Sequence, residues 1–170
     1  MEVIFLEQTT TPFKKVIDRL LRKIEKDRDF FSYYHLSVQE VKEIVMEQAK
    51  GYLTDAIDLL VSKCEPEVDF YDYDDLNEVF NFKLTTREIG LLASLMYEVY
   101  FERDEALLKA FKIRMTPSDL NQFSPSAERS TFESMLSRIK NENRNNISKY
   151  ISTDRITGKR KTIDYSAYNE

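Results

Sequence analysis

The sequence predicts a mainly α-helical fold: a bundle of about four long helices, closed by a C-terminal β-hairpin or extended arm. Three observations predict it. Only three glycines and four prolines occur in 170 residues, apolar side chains recur at the three- and four-residue spacing of helix faces over four stretches, and β-favouring residues cluster after position 149. At this length one hydrophobic core is expected. The chain divides into a helical domain over 1–148, with an acidic loop at 65–82, and a hairpin or arm over 149–170.

Thr11-Pro12 reads as an N-cap followed by proline at the first helical position, and Phe13, Val16, Ile17, Leu20, Leu21 and Ile24 continue one face. These predict a helix over about 12–28. An aromatic connector, Phe30 to His35, suits core or interface packing. Ser37 and Glu40 have the spacing of a capping box, in which each side chain satisfies the other residue's orphan backbone donor. They precede Val41, Ile44, Val45, Tyr52, Ala56, Leu59 and Leu60, which predict a helix over 38–63.

Pro66 and the acidic, tyrosine-rich stretch after it break the helical pattern, while Phe80, Phe82 and Leu84 alternate as in a short strand or an extended lead-in. Thr85 and Glu88 form a second box, with Leu84 placed to staple onto Ile89. The helix expected over 86–111 carries Leu91, Leu95 and Leu108 beside its main stripe, which marks it as the central core helix. Thr116-Pro117 suits a short helical turn, and Ser124-Pro125 opens a helix to about 146, whose polar end, Asn141 to Asn146, is expected to fray. Tyr150 to Thr153 and Thr162 to Tyr165 then read as strands around Thr157-Gly158. A lone two-stranded hairpin is marginal, so it needs a surface to lie on.

Charge is segregated beneath a net −5. Between Glu65 and Phe82 there are seven acids and no base, between Arg155 and Lys161 four bases and no acid, and Lys14 to Arg28 holds seven bases against three acids. The basic first helix reads as a solvated face, with nucleic-acid phosphates or an anionic membrane as the sharper alternative. Val3-Ile4-Phe5-Leu6 before Glu7 is too short an apolar run for a secretory signal, so synthesis in the cytosol is expected. No run of about eighteen apolar residues is present to span a membrane.

The inventory for catalysis is thin, and the chain reads as a non-enzyme without cofactor. It has no Gly-rich phosphate loop, no G-x-S-x-G and no H-E-x-x-H. The lone His35 suits a packing or surface role, and the lone Cys64, at a helix end, an inert one. Asp69, Asp72, Asp74 and Glu78 are hard oxygen ligands, but the run lacks the glycine that a Ca²⁺ loop requires for its sharp turn. No metal is therefore expected, which leaves a solvated loop or a docking surface for a basic partner.

Three stretches occur together in order: Leu84-Thr85-Thr86-Arg87-Glu88-Ile89-Gly90-Leu91-Leu92-Ala93 running into Met96-Tyr97-Glu98-Val99-Tyr100, then Ser118-Asp119-Leu120-Asn121-Gln122-Phe123-Ser124-Pro125, then Tyr150 through Gly158. Their order resembles small virion proteins of tailed phages of Gram-positive hosts, and the helical head-to-tail connector, or neck adaptor, group. The likeness covers about half the chain, from Leu84 onward, and includes no catalytic motif. It implies a virion neck location and a ring of identical subunits beneath the portal, around the DNA channel, with arms reaching neighbouring rings.

The charge segregation is compatible with such a ring, since an acidic loop and a basic hairpin can pair between adjacent copies. Asp72, Asp74 and Asp75 are the candidate acids; Arg155, Lys159, Arg160 and Lys161 are the candidate bases. The alternative is that they pair within one subunit, or not at all. The hairpin itself suits donation to another chain's sheet edge or packing on its own helices. From a different class, a small helical regulatory adaptor that binds DNA or a protein as monomer or dimer remains the competing reading.

Overall fold

Val16, Ile17, Leu20 and Ile24 form the buried face of the first helix, α1 (Lys14–Lys23), in the computed structural model, which describes residues 10–31, 33, 35–114 and 126–162. The helix starts later and stops sooner than the sequence predicts. Phe13 occupies the N-cap position without a side-chain cap, and Thr11–Pro12 forms a strand, β1, instead of a helix start. Thr11 uses its hydroxyl elsewhere, accepting the Leu84 amide at 2.9 Å in a buried contact. The same Thr-Pro pair suits a helix cap and an edge strand, where proline's missing N–H costs nothing. Its partner strand, 67 or more residues away, decides between them. The chain then forms a separate single turn, α2 (Arg28–Phe31), whose Phe30 is buried edge-on against Tyr100.

The next helix, α3 (Val38–Lys63), runs over the expected residues. Its capping box is complete: Glu40 N donates to Ser37 Oγ at 3.3 Å and Ser37 N to Glu40 Oε2 at 2.8 Å. Beyond it lies a hairpin of β2 (Tyr73–Asp74) and β3 (Val79–Phe80). Strand β3 is central, pairing antiparallel with β2 (Tyr73 opposite Phe80) and β1 (Thr11 opposite Phe80). Phe13, Tyr73, Phe80, Phe82 and Phe70 pack edge to face beneath this small sheet and seal it onto the helices.

Helix α4 (Thr86–Arg114) is the central element and packs against α1, α3 and the last helix. Leu91, Leu92, Ala93, Leu95, Met96 and Tyr100 are all buried, which wraps the apolar surface around more than one side of the helix. The last helix, α5 (Ser126–Ile151), does not fray at its asparagines. Asn143 turns inward and donates through Nδ2 to Ser94 O at 3.0 Å and Glu98 Oε2 at 2.7 Å, and Ile147 one turn later is buried.

Tyr150 and Ile151 are helical rather than β, so the strand expected there is absent. The chain instead turns back through a tight loop with one antiparallel bridge, Thr153 opposite Arg160. Asp154 N bonds Lys159 O at 2.8 Å and Lys161 N bonds Ser152 O at 2.9 Å. The expected features at Thr116-Pro117, Ser124-Pro125 and Ile163 to Tyr165 lie outside the described residues. Among the described residues no helix is long and apolar enough to cross a membrane.

Candidate functional site: an acidic hairpin and a basic turn

Leu76 sits at the tip of the β2–β3 hairpin, 92% exposed, in a loop that is internally braced. Asp74 accepts the amides of Leu76 at 2.9 Å and Asn77 at 3.0 Å, and the Asn77 side-chain nitrogen at 2.6 Å. This is the local bonding by which aspartate fixes a turn. Those bonds from Asn77 and Leu76 hold the Asp74 carboxyl below its ordinary pKa. Glu78 closes the turn in the left-handed region at φ 54°, and its carbonyl accepts Phe13 N at 2.8 Å.

The other expected acids hold the hairpin in place. Asp72 accepts Asn81 Nδ2 at 2.8 Å. Asp75 and Glu78 flank Lys50 on α3, at 3.2 and 3.4 Å. Partial burial of Lys50 works to lower its pKa, but the two carboxylates outweigh it and raise the value. The hairpin remains acidic after this single neutralisation, since both carboxylates stay more than half exposed.

The basic turn is built the same way. Asp154 accepts Thr157 N and Thr157 Oγ1, both at 2.6 Å, which lowers its pKa and presents Ile156 at 75% exposure. Gly158 supplies the positive φ of 66° that the turn requires. Arg155 points inward: Nε donates to Glu88 Oε1 at 2.6 Å, Nη2 to Lys83 O at 2.5 Å, and the guanidinium lies over the Phe82 ring. Lys161 pairs with Glu67 at 2.6 Å. Lys159 and Arg160 are exposed and have no side-chain partner among the described residues.

The structure therefore brings the two charged segments together at one point, Glu67 with Lys161, and places Asp72, Asp74 and Asp75 against other groups. Arg155 and Lys161 are committed within the chain, and the bases left outward are Lys159 and Arg160. Sequence reasoning placed Glu88 in its capping box, which the structure shows, but missed that the same fully buried carboxylate also receives Arg155. It also missed Leu76 and Ile156, although a single apolar residue inside each polar turn was a visible signal.

Elsewhere polar groups engage one another. Arg103 stacks over Tyr100 and Tyr52 and donates to the Tyr52 hydroxyl at 2.6 Å, while Tyr100 donates to Asp27. Cys64 donates its thiol to Leu60 O, and burial raises its pKa, which suits an unreactive thiol. On α1, Lys14 pairs with Asp18, Arg19 donates to Thr86 O and Lys23 to Ser94 Oγ. This leaves less basic surface for phosphates than composition suggests. No family model matches the chain, and comparison with curated proteins and with solved structures finds no match.

Proposed function

We propose that this chain is a structural assembly protein of a tailed-phage virion: a head-to-tail connector, or neck adaptor, subunit that contacts the portal, neighbouring neck proteins and other copies of itself. One observation carries the reading beyond the sequence resemblance. Two loops of opposite charge, each braced by an aspartate, hold a large apolar side chain out into solvent on one helical core. An isolated exposed leucine or isoleucine is ordinary, but one carried on a turn whose backbone is held by local hydrogen bonds is presented from an ordered loop, which lowers the entropic cost of association.

Opposite charge on two different surfaces favours head-to-tail contact between identical subunits, which closes into a ring when the rotation permits. In this reading the helical core is the ring body, and α1 has the secondary role of lining the DNA channel through exposed bases such as Lys15 and Arg22. Residues 153–161 are held to their own subunit, by Arg155 on Glu88 of α4 and by Lys161 on Glu67 of the loop after α3, so this stretch is not an arm free to reach a neighbour. The test is immunogold labelling of virions released by a host that carries the gene. Label at the head–tail junction is expected, and absence of the chain from purified virions would overturn the proposal.

A further inference from the structure

A cleft of about 430 Å³ lies between the first turns of α4 and the end of α5. Its lining includes Gly90, Leu91 and the Tyr150 ring as apolar surface, with Arg87 and Lys149 as the cations. Arg87 donates to Gly158 O at 3.3 Å, and neither cation has a carboxylate partner among the described residues. Gly90 backs onto α1, where a Cβ would meet Arg19 Nη1 at 3.0 Å. The cleft thus offers apolar contact between two cations that lack a counter-charge.

We propose that the Leu76 hairpin tip of one copy seats in this cleft of the next copy, with Asp75 and Glu78 facing Arg87 and Lys149. The inference rests on the assembly reading and names its contact. Leu76 supplies the exposed apolar group, and Asp75 and Glu78, two carboxylates that share the single cation Lys50 and stay more than half exposed, leave a net negative charge beside it for the cations of the cleft. The occupant comes from a second copy because Leu76 stands free of its own subunit at 92% exposure. Charge also selects against the apolar residue of the basic turn: Ile156 is followed by Lys159, Arg160 and Lys161, which the cations of the cleft would repel. Tip and cleft are different surfaces, so each copy keeps one of each and the contact repeats head to tail.

The test is sedimentation velocity on the full chain and two variants, Leu76→Asp and Lys149→Glu, both at exposed positions and both checked for unchanged helical content. Each is expected to weaken self-association at least about tenfold, the effect of losing one buried leucine or reversing one facing charge. Mixed together, the two variants should form a 1:1 complex that grows no further, because each retains one intact surface. A wild-type chain that stays monomeric at every concentration overturns the contact. So does association that Leu76→Asp leaves unaltered, which would mean that the copies meet through another surface. Those results leave the virion reading to its own labelling test, whereas absence from virions with Leu76-dependent association intact would remove the connector role and keep the contact.

Discussion

Arg155 Nε lies 2.6 Å from Glu88 Oε1, and its Nη2 3.1 Å from Oε2, so one guanidinium grips both oxygens of a carboxylate that solvent does not reach. Tyr150 completes the set, donating its hydroxyl to Glu88 at 3.1 Å; its burial and the adjacent carboxylate hold the phenol protonated well above the ordinary range. Removing the cation strands a buried charge. Arg155→Ala is expected to destabilise the fold by about 3–5 kcal/mol, and Arg155→Lys to recover only part because it lacks the planar two-pronged geometry. Urea unfolding measures both, and a loss below about 1 kcal/mol for the alanine variant would refute the bridge as a structural link.

Asn143 plays the corresponding part at the middle of α5. Replacing it with leucine leaves the buried Glu98 with Lys63 at 3.5 Å as its remaining ion-pair contact, and leaves Ser94 O without the amide donor. A loss of about 1–3 kcal/mol is expected from the unsatisfied acceptors. Asn143→Asp should be worse, since it sets two carboxylates side by side. Thermal or urea midpoints order the three proteins.

The two loop-bracing aspartates give a pH dependence with a definite sign. Hydrogen bonds from Asn77 and from Thr157 hold the Asp74 and Asp154 carboxyls below the ordinary aspartate pKa of about 3.8. Their contribution to loop order is complete above that value and is lost as pH falls through the lower folded-state values. Amide exchange at Leu76, Asn77 and Thr157 should therefore be flat from neutral pH down to about 4, after correction for intrinsic rates, and accelerate only below it. Acceleration near pH 6 would contradict the assignment.

Two glycines respond in opposite directions to the same change. Gly158 has φ of 66° and a Cβ there would sit 2.9 Å from the Arg87 guanidinium, so Gly158→Ala should destabilise by about 1 kcal/mol or more. Gly51 lies inside α3 with open space around it, and Gly51→Ala should stabilise by about 0.5–1 kcal/mol. Differential scanning calorimetry distinguishes the signs directly.

What the sequence revealed was local chemistry. The limits of α3 and both capping boxes follow from residues three positions apart, and the apolar excess on α4 marked it as central. What stayed hidden was decided by distant partners. Thr11-Pro12 joins a sheet because Val79 and Phe80 lie beside it. Asn143 stays helical because Glu98 needs a donor, and Tyr150 because its hydroxyl meets Glu88. The charged site divided in the same way: the acids and bases were legible as segments, but Arg155 and Lys161 found partners within the chain, Glu88 and Glu67.

The wide separation of Glu88 and Arg155 along the chain also sets an order of events during synthesis. At translation rates of roughly 5–20 residues per second, the separation of 67 positions takes several seconds or more to emerge. Throughout that interval the start of α4 carries an anion whose arginine has not yet been made. A nascent chain that packs α4 early buries an unmatched charge, which favours a loose helical cluster that tightens once the basic turn leaves the ribosome.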